Sequence, residues 1–159
     1  MDSQLGISMR KAFADSAVFA FSRMIVVDLT TADSTAPPDA DFEISAVIGF
    51  SGEVAGSCAL RMSGTTAREV VSRLAGEPVD DAAEIADGIG ELANMIAGNA
   101  KASLEPREIS LSFPEVIRGK GHEIGFHRYA DLFELRFMSE IGNLAVIVAY
   151  TNPKESNGR

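Results

Sequence analysis

Phe42-Glu-Ile-Ser-Ala-Val-Ile-Gly-Phe50-Ser-Gly-Glu-Val-Ala-Gly-Ser-Cys-Ala-Leu-Arg-Met62 reads as two alternating runs joined by a turn. Successive side chains of a strand point to opposite faces, so Phe42, Ile44, Ala46, Ile48 and Phe50 share one side. Ser51-Gly52 supplies a tight turn, and Gly56, Cys58, Leu60 and Met62 alternate along the return. The expectation is an antiparallel hairpin with one face turned to a core.

Working outward, residues 8–27 carry Met9, Phe13, Ala17, Ala20 and Met24 at helical spacing, while residues 30–39, with Pro37-Pro38, form a loop. After the hairpin, Thr66-x-x-Glu69 has the spacing of a capping box, and Gly76 stops a second helix just past Leu74. Pro78 and Asp80-Asp81 lead into a third helix over residues 81–104, closed by Pro106. Ile109, Leu111 and Phe113 then alternate as a strand. Pro114 and a Gly119-Lys120-Gly121 turn follow, and Ile124 and Phe126 resume as strand. Phe133, Leu135 and Phe137 alternate with Glu134 and Arg136, and Gly142-Asn143 marks a hairpin turn into residues 144–150. That last run is apolar on both faces, so it is either central in a sheet or buried at an interface. Residues 152–159 are a polar tail.

The elements define an α+β fold: a largely antiparallel sheet of about six strands with three helices on one side. No linker interrupts residues 1–159, which form a single domain. A faint echo between the halves, each a helix followed by hairpin strands, suggests an internal duplication.

Composition narrows the function classes. A hydrophobic fraction of 46% and a charged fraction of 23% are those of a globular chain. The formal net charge of −9, without any Lys/Arg run, argues against nucleic acid or an anionic membrane as partner. No apolar run is long enough to span a bilayer. The start, Met1-Asp2-Ser3-Gln4, lacks the basic and apolar regions of a secretory signal, which leaves the cytoplasm as the expected compartment. A lone Cys58 in an alternating apolar run reads as core. His122 and His127 lack metal-ligand spacing and read as structural or surface residues.

The third helix carries the functional signal. Taking about 100° per residue, Glu91 lies about +40° from Asp87, Asn94 about −20°, Gly98 about +20° and Lys101 about −40°. These five residues form one narrow stripe, with Ile85, Ile89, Leu92, Ile96 and Ala100 on the opposite side. Acids and an Asn on an exposed helix face are common in merely solvated helices. Two features are odd here. Asn is a poor interior helix former, and Gly98 costs about 1 kcal/mol against Ala in a helix interior. Core packing explains neither, whereas a bare backbone at Gly98 lets another molecule approach. One helix stripe offers too few ligands for a metal site, so none is expected.

Asp87-x-x-x-Glu91-x-x-Asn94 resembles the motif of the CheC/CheX/FliY chemotaxis phosphatases. Gly90-Glu-Leu-Ala-Asn-Met-Ile-Ala-Gly-Asn-Ala-Lys101 and Leu111-Ser-Phe-Pro-Glu-Val-Ile-Arg-Gly-Lys-Gly121-His are similar to the CheX branch in particular. Only one Glu-x-x-Asn copy is present. The first helix has Asp15-x-x-x-Phe19-x-x-Ser22 in its place, so a second site there would be dead. The family also carries a proline after the motif, which Pro114 matches.

The resemblance implies a CheC-like fold and hydrolysis of the aspartyl phosphate of a phosphorylated, CheY-like response regulator. Asn94 would position the attacking water, and Glu91 would pair with the regulator's active-site lysine. Asp87, Gly98 and Lys101 would belong to the partner-binding face. No cofactor is expected on this chain; the magnesium ion would sit in the partner's receiver domain. A homodimer joined through its sheets is also implied. The rival reading is a non-catalytic module that binds a receiver domain or serves in a flagellar switch.

Overall fold

A computed structural model describes residues 3–32 and 42–152. Within them α1 spans Ser3–Ala20 and runs into a π-helical turn at Phe21–Ile25; β1 is Thr30–Thr31, β2 Ile44–Gly52 and β3 Ala55–Met62. Then come α2 (Gly64–Ala75), α3 (Ala82–Ser103), β4 (Ile109–Leu111), β5 (Glu115–Arg118), β6 (Asp131–Ser139) and β7 (Gly142–Thr151). The expected N-terminal residues Met1 and Asp2, most of the 30–39 loop with Pro37-Pro38, and the tail beyond Asn152 lie outside the described residues.

The fold class holds, with strands rearranged. The sheet has seven strands in the order β1-β6-β7-β3-β2-β4, with β5 also paired to β2, and every pairing is antiparallel. Against the expected strands, β1 emerges at the start of the anticipated loop and β5 follows Pro114 directly. The strand expected at Ile124 and Phe126 is absent. Both residues are half-buried on an extended segment without a ladder partner. Side chains hold that segment instead. Ser45 Oγ lies 2.7 Å from His122 Nε2, and Arg61 donates to Ser45 Oγ (3.0 Å) and to the His122 carbonyl (3.0 Å).

β7 lies between β6 and β3, which settles its two apolar faces: it is central. Leu144, Val146, Val148 and Tyr150 enter the core, alongside Ile44, Ala46, Ile48 and Phe50 of β2 and Cys58, Leu60 and Met62 of β3. β2 runs on to Gly52, two residues beyond the expected limit, so the first turn falls at Glu53-Val54. The β6–β7 turn falls at Glu140-Ile141, two residues before the expected Gly142-Asn143.

The helices cover one face. α1 begins earlier than expected because Leu5 extends its apolar stripe by a turn before Met9. It also ends differently. The wider π turn shifts the inward face by one residue, so Ile25 is 1% exposed while Met24, expected inward, is 44% exposed. The capping box expected at Thr66 is absent, and the helix is capped by Ser63, three residues upstream. Ser63 Oγ accepts from the Thr66 amide (3.1 Å), while the Thr66 hydroxyl donates to the Ile141 carbonyl and Glu69 pairs with Arg73. Gly76 ends α2 in the left-handed conformation (φ 76°), as its lack of a Cβ allows. The halves interlock: α3, from the second half, packs on the β2–β3 hairpin of the first, and α1 reaches β6 of the second.

Candidate functional site

α3 positions the candidate residues. Asp81 caps it, its carboxylate accepting from the Glu84 amide at 3.0 Å, and Lys101 in the last turn complements the helix dipole. Ile85, Ile89, Leu92, Ile96 and Ala100 are all buried. Anchored along this whole edge, the helix is a rigid rail, and its opposite edge displays the stripe. Asp87, Glu91, Asn94 and Lys101 are exposed, and Gly98 lies half-exposed between them. The structure thus brings all five expected residues to one face. At a 1.5 Å rise per residue, Asp87 and Lys101 stand about 21 Å apart along the axis, with Glu91 and Asn94 less than one turn apart.

Among the described residues, no side chain bonds to or pairs with Asp87, Glu91 or Asn94. A Cβ built on Gly98 meets nothing within 4 Å, whereas one on Gly88, on the buried side, falls 2.7 Å from Val71 Cγ2. Gly88 therefore answers to helix packing and Gly98 does not. On the flank beside Asn94, Gly90 lets β5 come close. Pro114 Cγ lies 3.5 Å and Val116 Cγ2 3.4 Å from where a Gly90 Cβ would stand. Pro114 thus borders the stripe.

Phe113 is the residue that alternation misplaces. Grouped with Ile109 and Leu111, it was expected to face inward, yet it is 92% exposed. The signal was the proline that follows, since Pro within a strand pattern marks an edge or a bulge.

The corresponding stretch of α1 lacks the chemistry. Asp15 is tied to Lys11 at 2.7 Å, Phe19 lies under the Arg23 guanidinium (5.3 Å to the ring centre), and Ser22 falls in the π turn. No cluster of three or more His, Cys, Asp or Glu that could hold a metal occurs among the described residues. No helix among them is long and apolar enough to cross a membrane.

A helix layer on one face of a seven-stranded antiparallel sheet is the architecture of CheC-like proteins. A model of the family described as chemotaxis phosphatase CheX matches residues 44–138. The chain belongs to this CheX family. Among solved structures, it is similar to the chemotaxis protein CheX of Vibrio vulnificus at 24% identity and a TM-score of 0.80, covering 90% of this chain and 96% of that one. A putative chemotaxis protein of Desulfovibrio vulgaris Hildenborough gives 26% and 0.80, covering 92% and 98%. The CheX of Borrelia burgdorferi, solved in complex with CheY, beryllofluoride and magnesium, gives 22% and 0.72, covering 88% and 96%. A search of curated proteins finds no match.

Proposed function

We propose that this chain hydrolyses the aspartyl phosphate of a CheY-like response regulator. The observation that carries the reading is the Glu91–Asn94 pair: adjacent, exposed, unpartnered among the described residues and held on a rigid helix. An acyl phosphate is already prone to hydrolysis, so catalysis reduces to aligning a water in line and balancing phosphoryl charge. Asn94 suits the first task, because its carboxamide both accepts and donates hydrogen bonds without changing charge. The water attacks phosphorus, the bond to the regulator's aspartate oxygen breaks, and inorganic phosphate leaves with the carboxylate restored. Glu91 pairs with the regulator's lysine and fixes the docking, while Asp87, Gly98 and Lys101 extend the contact. The chain supplies no cofactor, and the magnesium ion belongs to the receiver domain. The Borrelia complex supports this partner class for a protein of the same fold. The reading places the protein in the cytoplasm beside its regulator.

A homodimer through the sheet accompanies this reading. On the face of the sheet opposite the helices Val47, Ala59 and Ile147 stand in register across β2, β3 and β7, and of these Val47 and Ile147 are half-exposed. That face is turned away from the α3 stripe, so dimer contact and regulator docking do not compete.

The deciding experiment is phosphate release from a phosphorylated receiver domain with and without the protein. Accelerated release supports the phosphatase. Binding without acceleration would make the chain a non-catalytic receiver-binding or switch module.

A further inference from the structure

We infer that Phe113 is the apolar anchor with which this protein grips the receiver domain; the inference rests on the phosphatase reading of the α3 stripe and adds to it the means of recognition. Its basis is a register change along β2. On one side Phe50 pairs with Leu111, and on the other Val47 pairs with Glu115. Ile48 and Gly49 therefore face Ser112, Phe113 and Pro114: three residues against two, a β-bulge. Such a bulge re-aims a side chain, and bulges recur beside active sites. Had the register continued, Phe113 would have followed Ile109 and Leu111 inward.

The bulge is fastened through Ser112. The Ser112 amide donates to the Gly49 carbonyl (2.8 Å), the Gly49 amide donates to Ser112 Oγ (2.8 Å), and the Ser112 hydroxyl donates to the Phe113 carbonyl (3.1 Å). The exposed ring is thus presented by a built backbone feature.

Its place identifies the partner. Pro114, in the same bulge, rests against Gly90, and Gly90 lies one helical turn before Asn94 on the same flank. A molecule that brings a phosphoryl group to Asn94 covers this flank and meets Phe113 at its margin. The inference requires an apolar depression beside the phosphorylated aspartate on the receiver domain. An aromatic ring with two rotatable bonds fills such a depression at small entropic cost.

The test uses the full chain and a CheY-like receiver domain of the same organism, loaded with beryllofluoride and magnesium, titrated by calorimetry. Phe113→Ala should raise Kd about tenfold, a typical loss for an aromatic anchor, and Phe113→Leu should recover most of it. In the phosphate-release assay the loss in Phe113→Ala should appear in KM far more than in kcat, as expected of a docking contact. Unchanged Kd in Phe113→Ala overturns the inference. So does conversion of a sedimenting dimer to monomer, which would assign the ring to a second copy of the chain. The titration reads docking without turnover. Tight wild-type binding with no phosphate release thus sinks the phosphatase reading alone, while an unaltered Phe113→Ala titration sinks this inference alone.

Discussion

Asn94 occupies an exposed helical position where Ala would serve stability better by up to about 0.7 kcal/mol. Asn94→Ala should therefore leave the melting temperature unchanged or slightly raised while abolishing accelerated phosphate release; near-wild-type turnover would refute the water-positioning role. Glu91→Lys should weaken binding to the activated receiver by about 2–5 kcal/mol if its partner lysine is left buried and unpaired. Wild-type affinity should fall with added salt and the variant's should not, as calorimetry at two ionic strengths would show. Cys58 lies at the other extreme of exposure. Burial pushes its thiol up to about 12 from the ordinary 9.0, only partly offset by a backbone hydrogen bond from Ile48. The folded chain holds the proton that the unfolded chain releases. The contribution is thus fully present below pH 9 and is lost as pH rises from 9 toward 12. Urea melts across that window should show the decline in wild type and a weaker one in Cys58→Ala. An alkylating reagent at neutral pH should label Cys58 only after unfolding.

Elements with strict periodicity were legible from sequence; those shaped by tertiary contacts were not. α3 appeared with its limits, buried edge and displayed stripe because each rests on local spacing and an Asp81 cap. The π turn after α1 carries no local signature, so helical spacing points to Met24, one residue short of the buried Ile25. β5 was hidden behind Pro114, and the bulge that exposes Phe113 is defined only by the register of a distant β2. The segment around Ile124 mimics a strand in sequence but is held by His122, Ser45 and Arg61. The two glycines of α3 give an internal comparison. Gly98→Ala meets nothing and should stabilise the protein by about 1 kcal/mol through helix propensity, while weakening receiver binding if the bare backbone admits the partner. Gly88→Ala drives a Cβ into Val71; overpacking of about 1–3 kcal/mol should cancel or exceed the same gain. Urea titrations of both variants, with a receiver titration of the first, check the contrast. Unchanged receiver affinity in Gly98→Ala would remove that residue from the docking face.

At the scale of the molecule, the helices occupy one side of the sheet, and the other carries Val47 and Ile147 beside the segment that His122 fastens to Ser45 and Arg61. Light scattering at micromolar concentration should report twice the chain's mass, and Ile147→Glu, on the outer row, should shift it toward monomer. A wild-type monomer would remove the dimer from the reading without touching the phosphatase. The joint between the halves has a consequence for synthesis. β3, at Ala55–Met62, finds its inner neighbour only in β7, at Gly142–Thr151, and α3 is the roof over a hairpin made before it. A nascent chain that has released β2 and β3 from the ribosome therefore holds an uncovered hairpin with an open central edge. That edge is a template for pairing with other chains until residues 142–151 emerge. Truncations anywhere before β7 should accumulate as aggregates, and the intact chain should fold on the slow schedule of long-range strand pairing rather than helix by helix.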